Sequence, residues 1–205
     1  MRRDEPGLLV VLSGPSGSGK DTVLEELRQT ADSLALSVSL TSRARRACEI
    51  DGTHYHFVTR EAFEENLRAG GILEYTQYSG NYYGTPKAPV DEWLGQGKTV
   101  ILKIEVEGAA SIREIYPDCV SVFLLPPSIE VLSQRLFRRE SEKADEIARR
   151  TEIAKREIAH AREYDYVILN DVLDCAVNDL RAIIRAERQR AGRQVNLINE
   201  VLKSC

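Results

Sequence analysis

Nine residues near the start, Gly14-Pro15-Ser16-Gly17-Ser18-Gly19-Lys20-Asp21-Thr22, constrain this chain more than any others. They follow a short apolar run, Leu8-Leu9-Val10-Val11-Leu12, and precede a stretch with helical periodicity at Val23, Leu24 and Leu27. Strand, glycine-rich turn and helix form the context that a phosphate-binding P-loop requires. Glycine at 14, 17 and 19 lets the backbone curl until successive N–H groups converge on one anion. The helix that follows adds unpaired N–H groups and a favourable dipole, and Lys20 adds a full positive charge. Every residue from Gly14 to Thr22 is therefore expected to line the phosphates of a nucleotide. One position departs from the pattern G-x-x-x-x-G-K followed by Ser or Thr. Asp21 stands where the hydroxyl belongs, which leaves Thr22 as the nearest residue to direct Mg²⁺, by itself or through water.

The rest of the composition narrows the class. A chain of 205 residues suffices for one good core with inserted lobes and is too short for three independent domains. A formal net charge of -4 argues against a non-specific nucleic-acid binder. Cys48, Cys119, Cys175 and Cys205 are scattered, without the C-x-x-C spacing of a zinc site, and a reducing compartment is the simpler reading. No run approaches the ~18 apolar residues of a membrane span. Met1-Arg2-Arg3-Asp4-Glu5 leads straight into the first strand, whose apolar region is too short for a signal peptide. A cytoplasmic protein without a membrane or nucleic-acid partner is expected.

Along the chain, a helix is predicted from Val23 to about Thr30 and a strand over Leu34, Leu36 and Val38. Thr41-Ser42-Arg43-Ala44-Arg45-Arg46 is basic, and Glu49-Ile50-Asp51-Gly52 is a turn. A short strand at Tyr55, Phe57 and Val58 precedes a helix over 60–68, which Gly70-Gly71 breaks before a strand at Ile72–Tyr75. The segment from Ser79 to Pro86 reads as a polar, aromatic loop. Six of the eight tyrosines fall between 55 and 116, which concentrates side chains with one apolar face and one hydrogen-bonding tip. Thr99–Ile104 reads as a buried parallel strand, followed by a helix from about Gly108 and a strand at Val120–Leu125. Pro126-Pro127-Ser128 caps the next helix. The charged stretch from Arg135 to Glu146 resembles a solvated surface segment. A long helix follows, with Ile147, Thr151, Ala154, Ile158 and Ala161 on one face. Tyr166–Leu169 is the last strand, and Val172 to about Arg190 the last long helix. This alternation predicts a three-layer α/β P-loop kinase fold on a central parallel sheet, with core segments at about 6–38, 88–134 and 147–205. Excursions are expected at about 39–87 and 135–146.

A P-loop alone does not choose among kinases, GTPases, ATPases and helicases. Two features favour a small-molecule kinase. Arg43, Arg45 and Arg46 follow the second strand, so they share the carboxyl edge of the sheet with the P-loop. Their planar donors suit a second phosphate. The lid-like run Arg135, Arg138, Arg139, Arg149 and Arg150 suits phosphoryl transfer, which needs charge neutralisation, alignment and exclusion of water.

Over nearly its whole length the chain resembles guanylate kinase, a nucleoside-monophosphate kinase. The resemblance is carried by the P-loop, Thr41-Ser42-Arg43 with Arg46, Glu49–Phe57, Leu73-Glu74, Gly80–Thr85, Val106-Glu107-Gly108, Pro126-Pro127-Ser128, Arg135-Leu136 and Tyr164–Asp171. It implies transfer of the ATP γ-phosphoryl to GMP (or dGMP), giving ADP and GDP, with Mg²⁺, by a core sheet carrying a monophosphate-binding lobe at 39–87 and a lid at 135–146. Arg43, Arg46, Tyr55 and Tyr83 would then hold the GMP phosphate. Glu74 would read guanine, whose N1–H and N2–H both donate, while Ser39, Thr85 and Glu105 would complete the base site. Lys20, Arg135, Arg139 and Arg150 would serve the transferring group, and Asn170 would lie near the adenine of ATP. Arg150 and Glu157, seven apart, would face the same way. No general base is required, because the acceptor oxygen is already anionic; His54, His56 and His160 read as structural.

Besides Asp21, this chain departs from the family's usual pattern at Arg45, a common proline, and at Lys103 and Glu105, where two aspartates are usual; Glu107 replaces a usual glutamine. Lys103 is expected to neutralise Asp21 or Glu105, or to touch a phosphate. Gly19-Lys20-Asp21 also resembles ribose 1,5-bisphosphate phosphokinase, which has no need of Glu74 or of Tyr82-Tyr83-Gly84-Thr85. A non-catalytic guanylate-kinase-like binding module is a third reading, disfavoured because Lys20 and the loop glycines are present.

Overall fold

The computed structural model describes residues 6–29, 34–78, 80–139 and 144–203, apart from the side chains of 138–139 and 144–148. The first apolar run forms β1 (Leu8–Ser13), and the glycine-rich turn leads into α1 (Lys20–Arg28). Then come β2 (Leu34–Leu36), β3 (Leu40–Thr41), β4 (His56–Phe57), α2 (Arg60–Arg68), β5 (Ile72–Tyr78), β6 (Asn81–Pro86) and α3 (Lys87–Gly95). The chain continues through β7 (Thr99–Lys103), α4 (Val106–Ile115), β8 (Val120–Leu125), α5 (Ile129–Arg139) and α6 (Ala144–Ala159). It ends with β9 (Tyr166–Leu169), α7 (Leu173–Arg188) and α8 (Val195–Lys203).

Five strands form a parallel sheet in the order β2-β7-β1-β8-β9. β1 is central and buried along its whole length, which is why it reads as an unbroken apolar run. Its alternate residues face two cores. Leu8, Val10 and Leu12 pack with Val23 and Leu27 of α1 and with Val177 and Leu180 of α7. Leu9 and Val11 pack on the other face with Val90 of α3 and with Ala109 and Ile112 of α4. Helix, sheet and helix make the three layers expected, in a P-loop kinase fold. Burial of each such side chain contributes roughly 1.5–3 kcal/mol. No helix is long and apolar enough to cross a membrane among the described residues.

The first excursion carries its own four-stranded sheet, in the order β4-β3-β6-β5. The expected loop from Ser79 to Pro86 is a strand from Asn81 onward, paired antiparallel with β5 in the register Thr76↔Tyr83 and Gln77↔Tyr82. Aromatic side chains favour this arrangement, because they pack across strands and onto the covering helix. The Tyr82 ring stacks on Phe63 of α2 with centroids 5.0 Å apart, and Tyr75 meets both rings edge-on. Gly80, with φ 77°, turns the chain between the two strands.

Two helices were not predicted. α3 holds Pro89 in its first turn, where proline costs no hydrogen bond. α8 occupies the tail, with Val195, Ile198, Val201 and Leu202 exposed. The charged stretch at 135–146 belongs to α5 up to Arg139 and to α6 from Ala144; residues 140–143 lie outside the described residues.

Candidate active site

β1 brings the chain to the carboxyl edge of the parallel sheet, and the turn from Gly14 to Gly19 reverses it into α1. Gly14, Gly17 and Gly19 have φ of 146°, 85° and 98°. Gly19 has a second reason to lack a side chain, because a Cβ there would strike the amide of Asn170. Ser18 N–H donates to the Pro15 carbonyl at 3.0 Å, closing the loop. Lys20 is buried, and its ammonium donates to the Gly14 and Pro15 carbonyls. Asn170, just after β9, donates Nδ2 to the Ser18 carbonyl at 2.7 Å. Arg135 of α5 donates to that carbonyl at 3.3 Å and to the Asn170 carbonyl at 3.2 Å. Asn170, expected beside adenine, thus has its amide committed to the loop. The Ser18 hydroxyl is buried without a hydrogen-bond partner among the described residues, an arrangement that costs about 1–3 kcal/mol unless a ligand completes it. Ser16 and Thr22 are exposed.

The second cluster stands in the lobe sheet. Arg43, after β3, meets Glu49 as a two-pronged pair, at 3.0 Å from Nη1 to Oε2 and 2.7 Å from Nη2 to Oε1. Glu49 also accepts from the Arg46 N–H at 2.8 Å. These donors, Arg43 first, hold the Glu49 carboxyl down to about 2. The guanidinium of Arg43 lies 5.6 Å from the Tyr55 ring centroid and 5.7 Å from that of Phe57. Tyr55 and Tyr83 meet edge to face, centroids 5.8 Å apart, and Tyr83, after Glu49, helps keep the Arg43 guanidinium charged. Arg43, Tyr55 and Tyr83 are therefore gathered as expected; Arg46 is exposed and contributes its backbone to Glu49. Glu49 was legible only as a turn residue. Its spacing from Arg43, across Ala44-Arg45-Arg46-Ala47-Cys48, offered no periodic signal.

A third group lies where β5, β6 and α4 meet. Glu74 is 8% exposed and accepts from the Thr85 hydroxyl at 2.5 Å. Burial pushes the Glu74 carboxyl up from its ordinary value; the Thr85 bond opposes this, and the charge of Glu105 adds to it. Ser39, whose carbonyl accepts from His56 N–H at 2.9 Å, borders β3 and is partly buried. Gly108, in the first turn of α4, makes room for Glu74: a Cβ there would meet its carboxylate. Alanine is the better helix former by about 1 kcal/mol. Gly108→Ala should therefore push the buried Glu74 carboxylate off its Thr85 bond, and the cost of moving it should offset the helical gain, leaving stability in a thermal melt within about 1 kcal/mol of the wild-type protein.

Glu157 of α6 turns toward the same cleft. Burial, then the charge of Glu105, raises its carboxyl to about 7, while Lys20 pulls it down. Its folded-state value lies above the unfolded one, so the stability it confers is full below pH ~4.5 and lost as pH rises through about 7. Glu157→Gln should thus gain on the wild-type protein by roughly 1–3 kcal/mol between pH 4.5 and pH 8 in urea unfolding, and the two should converge in acid. Arg150 is partly buried on the same helix. The side chain of Arg139 lies outside the described residues.

Lys103 ends β7 and pairs with Asp21 at 2.5 Å, the first of the partners expected for it. The described residues include no cluster of three or more His, Cys, Asp or Glu that would hold a metal by itself. Glu105, the residue before α4, sends its charge to both Glu74 and Glu157.

Comparison with known proteins bears on the family and the fold. The family model described as guanylate kinase matches residues 7–187. The chain is 48% identical over 187 residues to the guanylate kinase of Carboxydothermus hydrogenoformans, covering 91% of this chain and 92% of that one. It is 44% identical over 190 residues to the guanylate kinase of Nitrosospira multiformis, covering 93% and 90%. The crystal structure of guanylate kinase from Anaplasma phagocytophilum superposes with a TM-score of 0.81 at 34% identity, covering 98% of this chain and 96% of that one.

Proposed function

The chain belongs to the guanylate kinase family and is an ATP-dependent kinase that phosphorylates GMP to GDP, and we propose that its three side-chain clusters divide the work as donor site, acceptor-phosphate site and guanine site. The observation that carries this division is the buried Glu74–Thr85 pair facing the gap between lobe and core. An ionised carboxylate only accepts, and guanine offers N1–H and N2–H side by side. Adenine presents a bare N1 there and would leave the buried carboxylate unpaired, at a cost of about 1–3 kcal/mol or more. Glu105 stands at the same end, and Ser39 and Thr85 serve the remaining edge of the base.

Gly14 to Thr22 cradle the ATP phosphates, and the buried Ser18 hydroxyl gains its partner there. Arg43, Arg46, Tyr55 and Tyr83 take the GMP phosphate, with Glu49 aligning the Arg43 fork. An oxygen of that phosphate attacks the γ-phosphorus, the bond to the β–γ bridging oxygen breaks, and ADP leaves. Lys20 follows the charge as it moves to the leaving oxygen. Arg135 and Arg150, from the helices that flank 140–143, serve the transferring group, the role also assigned to Arg139, whose side chain lies outside the described residues. The chain's residues fit a Mg²⁺ that arrives with ATP, since a hard cation keeps water and phosphate oxygens and needs few protein ligands. Thr22 is the hydroxyl that would hold it, and the ion would supply neutralisation of phosphate charge. A cytosolic place in purine nucleotide metabolism suits a chain whose Cys48, Cys119 and Cys175 are free thiols.

The division is tested by following the label from γ-³²P-ATP supplied with GMP, dGMP or ribose 1,5-bisphosphate. Label should enter GDP and dGDP. Transfer to the sugar bisphosphate, with none to GMP, would overturn the assignment of Glu74.

A further inference from the structure

β7 ends beside β1 in the register Leu12↔Lys103, at the residue pair that precedes the P-loop. The strand end is fixed there: Ile104 N–H donates to the Leu12 carbonyl at 3.3 Å, and the Ser13 hydroxyl donates to the Ile104 carbonyl at 2.8 Å. Lys103 rises from this anchored backbone to meet Asp21, the residue directly after Lys20. Its charge and that of Asp21 both act on the phenol of Tyr55, which burial chiefly shifts upward and which stands with Arg43 and Tyr83. One ammonium thus meets the residue that follows the donor loop's lysine and lies within electrostatic reach of the cluster assigned to the acceptor phosphate.

Stability alone does not account for this pair. The side chains of Lys103 and Asp21 are 34% and 60% exposed, and exposed ion pairs contribute little because water and salt screen them. Asp21 by itself is unfavourable for an anion site, since it places a carboxylate at the helix N-terminus that receives phosphates. An ammonium has three donors, and the Asp21 bond uses one. The remaining two are left for other acceptors, and phosphate oxygens are the acceptors a glycine-rich loop of this kind gathers.

We propose that Lys103 is a further catalytic residue of the phosphoryl transfer, a cation between the two phosphate sites that binds the transferring γ-phosphoryl, and that Asp21 is the positioning residue that aims it. The proposal rests on the division of sites given above, and it excludes a narrower role in which Lys103 does no more than cancel the charge of Asp21. It assigns this chain a cation where the family usually carries an aspartate.

The test uses Lys103→Met and the double variant Asp21→Asn/Lys103→Met, each compared with wild-type enzyme whose GMP turnover has first been confirmed. Absence of that turnover would defeat the functional reading itself, before the variants are made. Both variants should lose kcat on the order of tenfold or more while KM for GMP and for ATP moves less than about threefold. A bisubstrate compound joining adenosine and guanosine through five phosphates should bind the double variant at least about tenfold more weakly by calorimetry, with GMP alone little changed. Wild-type kcat in the double variant would overturn the proposal, because it would show that charge cancellation was the whole role. Equal weakening of GMP alone would also overturn it, by placing Lys103 in the acceptor cage.

Discussion

Lys20→Ala is expected to lower kcat on the order of 10³-fold or more while leaving the dissociation constant of GMP within about threefold. The asymmetry follows from placement. Lys20 is buried under the loop that precedes α1 and bonds the carbonyls of Gly14 and Pro15. Arg43, Tyr55 and Tyr83, proposed to hold the acceptor phosphate, lie in or beside the strands of the other sheet. A cation that follows the moving charge acts mainly in the transition state, so its loss appears in kcat. A loss of about 4 kcal/mol corresponds to that fold-change. Isothermal titration with GMP and steady-state turnover on the same preparation check both halves. Parallel loss of GMP affinity would mean that the two phosphate sites are not separate.

The second large effect is a change of substrate. Glu74→Gln replaces a group with two accepting oxygens by one that accepts at one atom and donates at the other. Toward guanine, the new N–H meets a donor and the buried base edge loses a charge-assisted bond, at about 1.5–3 kcal/mol. Toward adenine, the amide matches N1 and N6 as acceptor and donor. The two effects oppose, so the ratio of kcat/KM for GMP over AMP should fall on the order of 10³-fold. Thr85, which donates to Glu74 at 2.5 Å, accepts or donates as needed and keeps the variant's oxygen satisfied. Competition between GMP and AMP in one reaction, with products separated, reads this ratio directly.

What the chain made legible in advance depends on how local each feature is. The P-loop and α1 follow from consecutive residues: three glycines with positive φ, a lysine and an apolar strand before them. The core strands β1, β7 and β8 were legible for the same reason, as nearly continuous apolar runs buried on both faces. β6 was hidden because its residues, Asn81-Tyr82-Tyr83-Gly84-Thr85-Pro86, look polar and carry a glycine and a proline. Its strand character comes from β5 and from Phe63 of α2, neither adjacent in sequence. Glu74 shows the limit most plainly. Its burial depends on Thr85 from β6 and on the bare backbone of Gly108 in α4, so only family resemblance singled it out. Glu49 was passed over as a turn residue although it holds Arg43 at both prongs. The partner of Lys103 was open among Asp21, Glu105 and a phosphate, and the register of β7 on β1 brought it to Asp21.

The central claim is that a buried carboxylate at Glu74 makes this kinase a reader of guanine. The most direct test is the ratio of kcat/KM for GMP over AMP in the wild-type enzyme, measured by coupled ADP release with saturating ATP and Mg²⁺. A preference on the order of 10³-fold or more is expected, as for sites that hydrogen-bond a buried polar edge. Equal use of AMP and GMP would contradict the role of Glu74 and with it the division of the cleft.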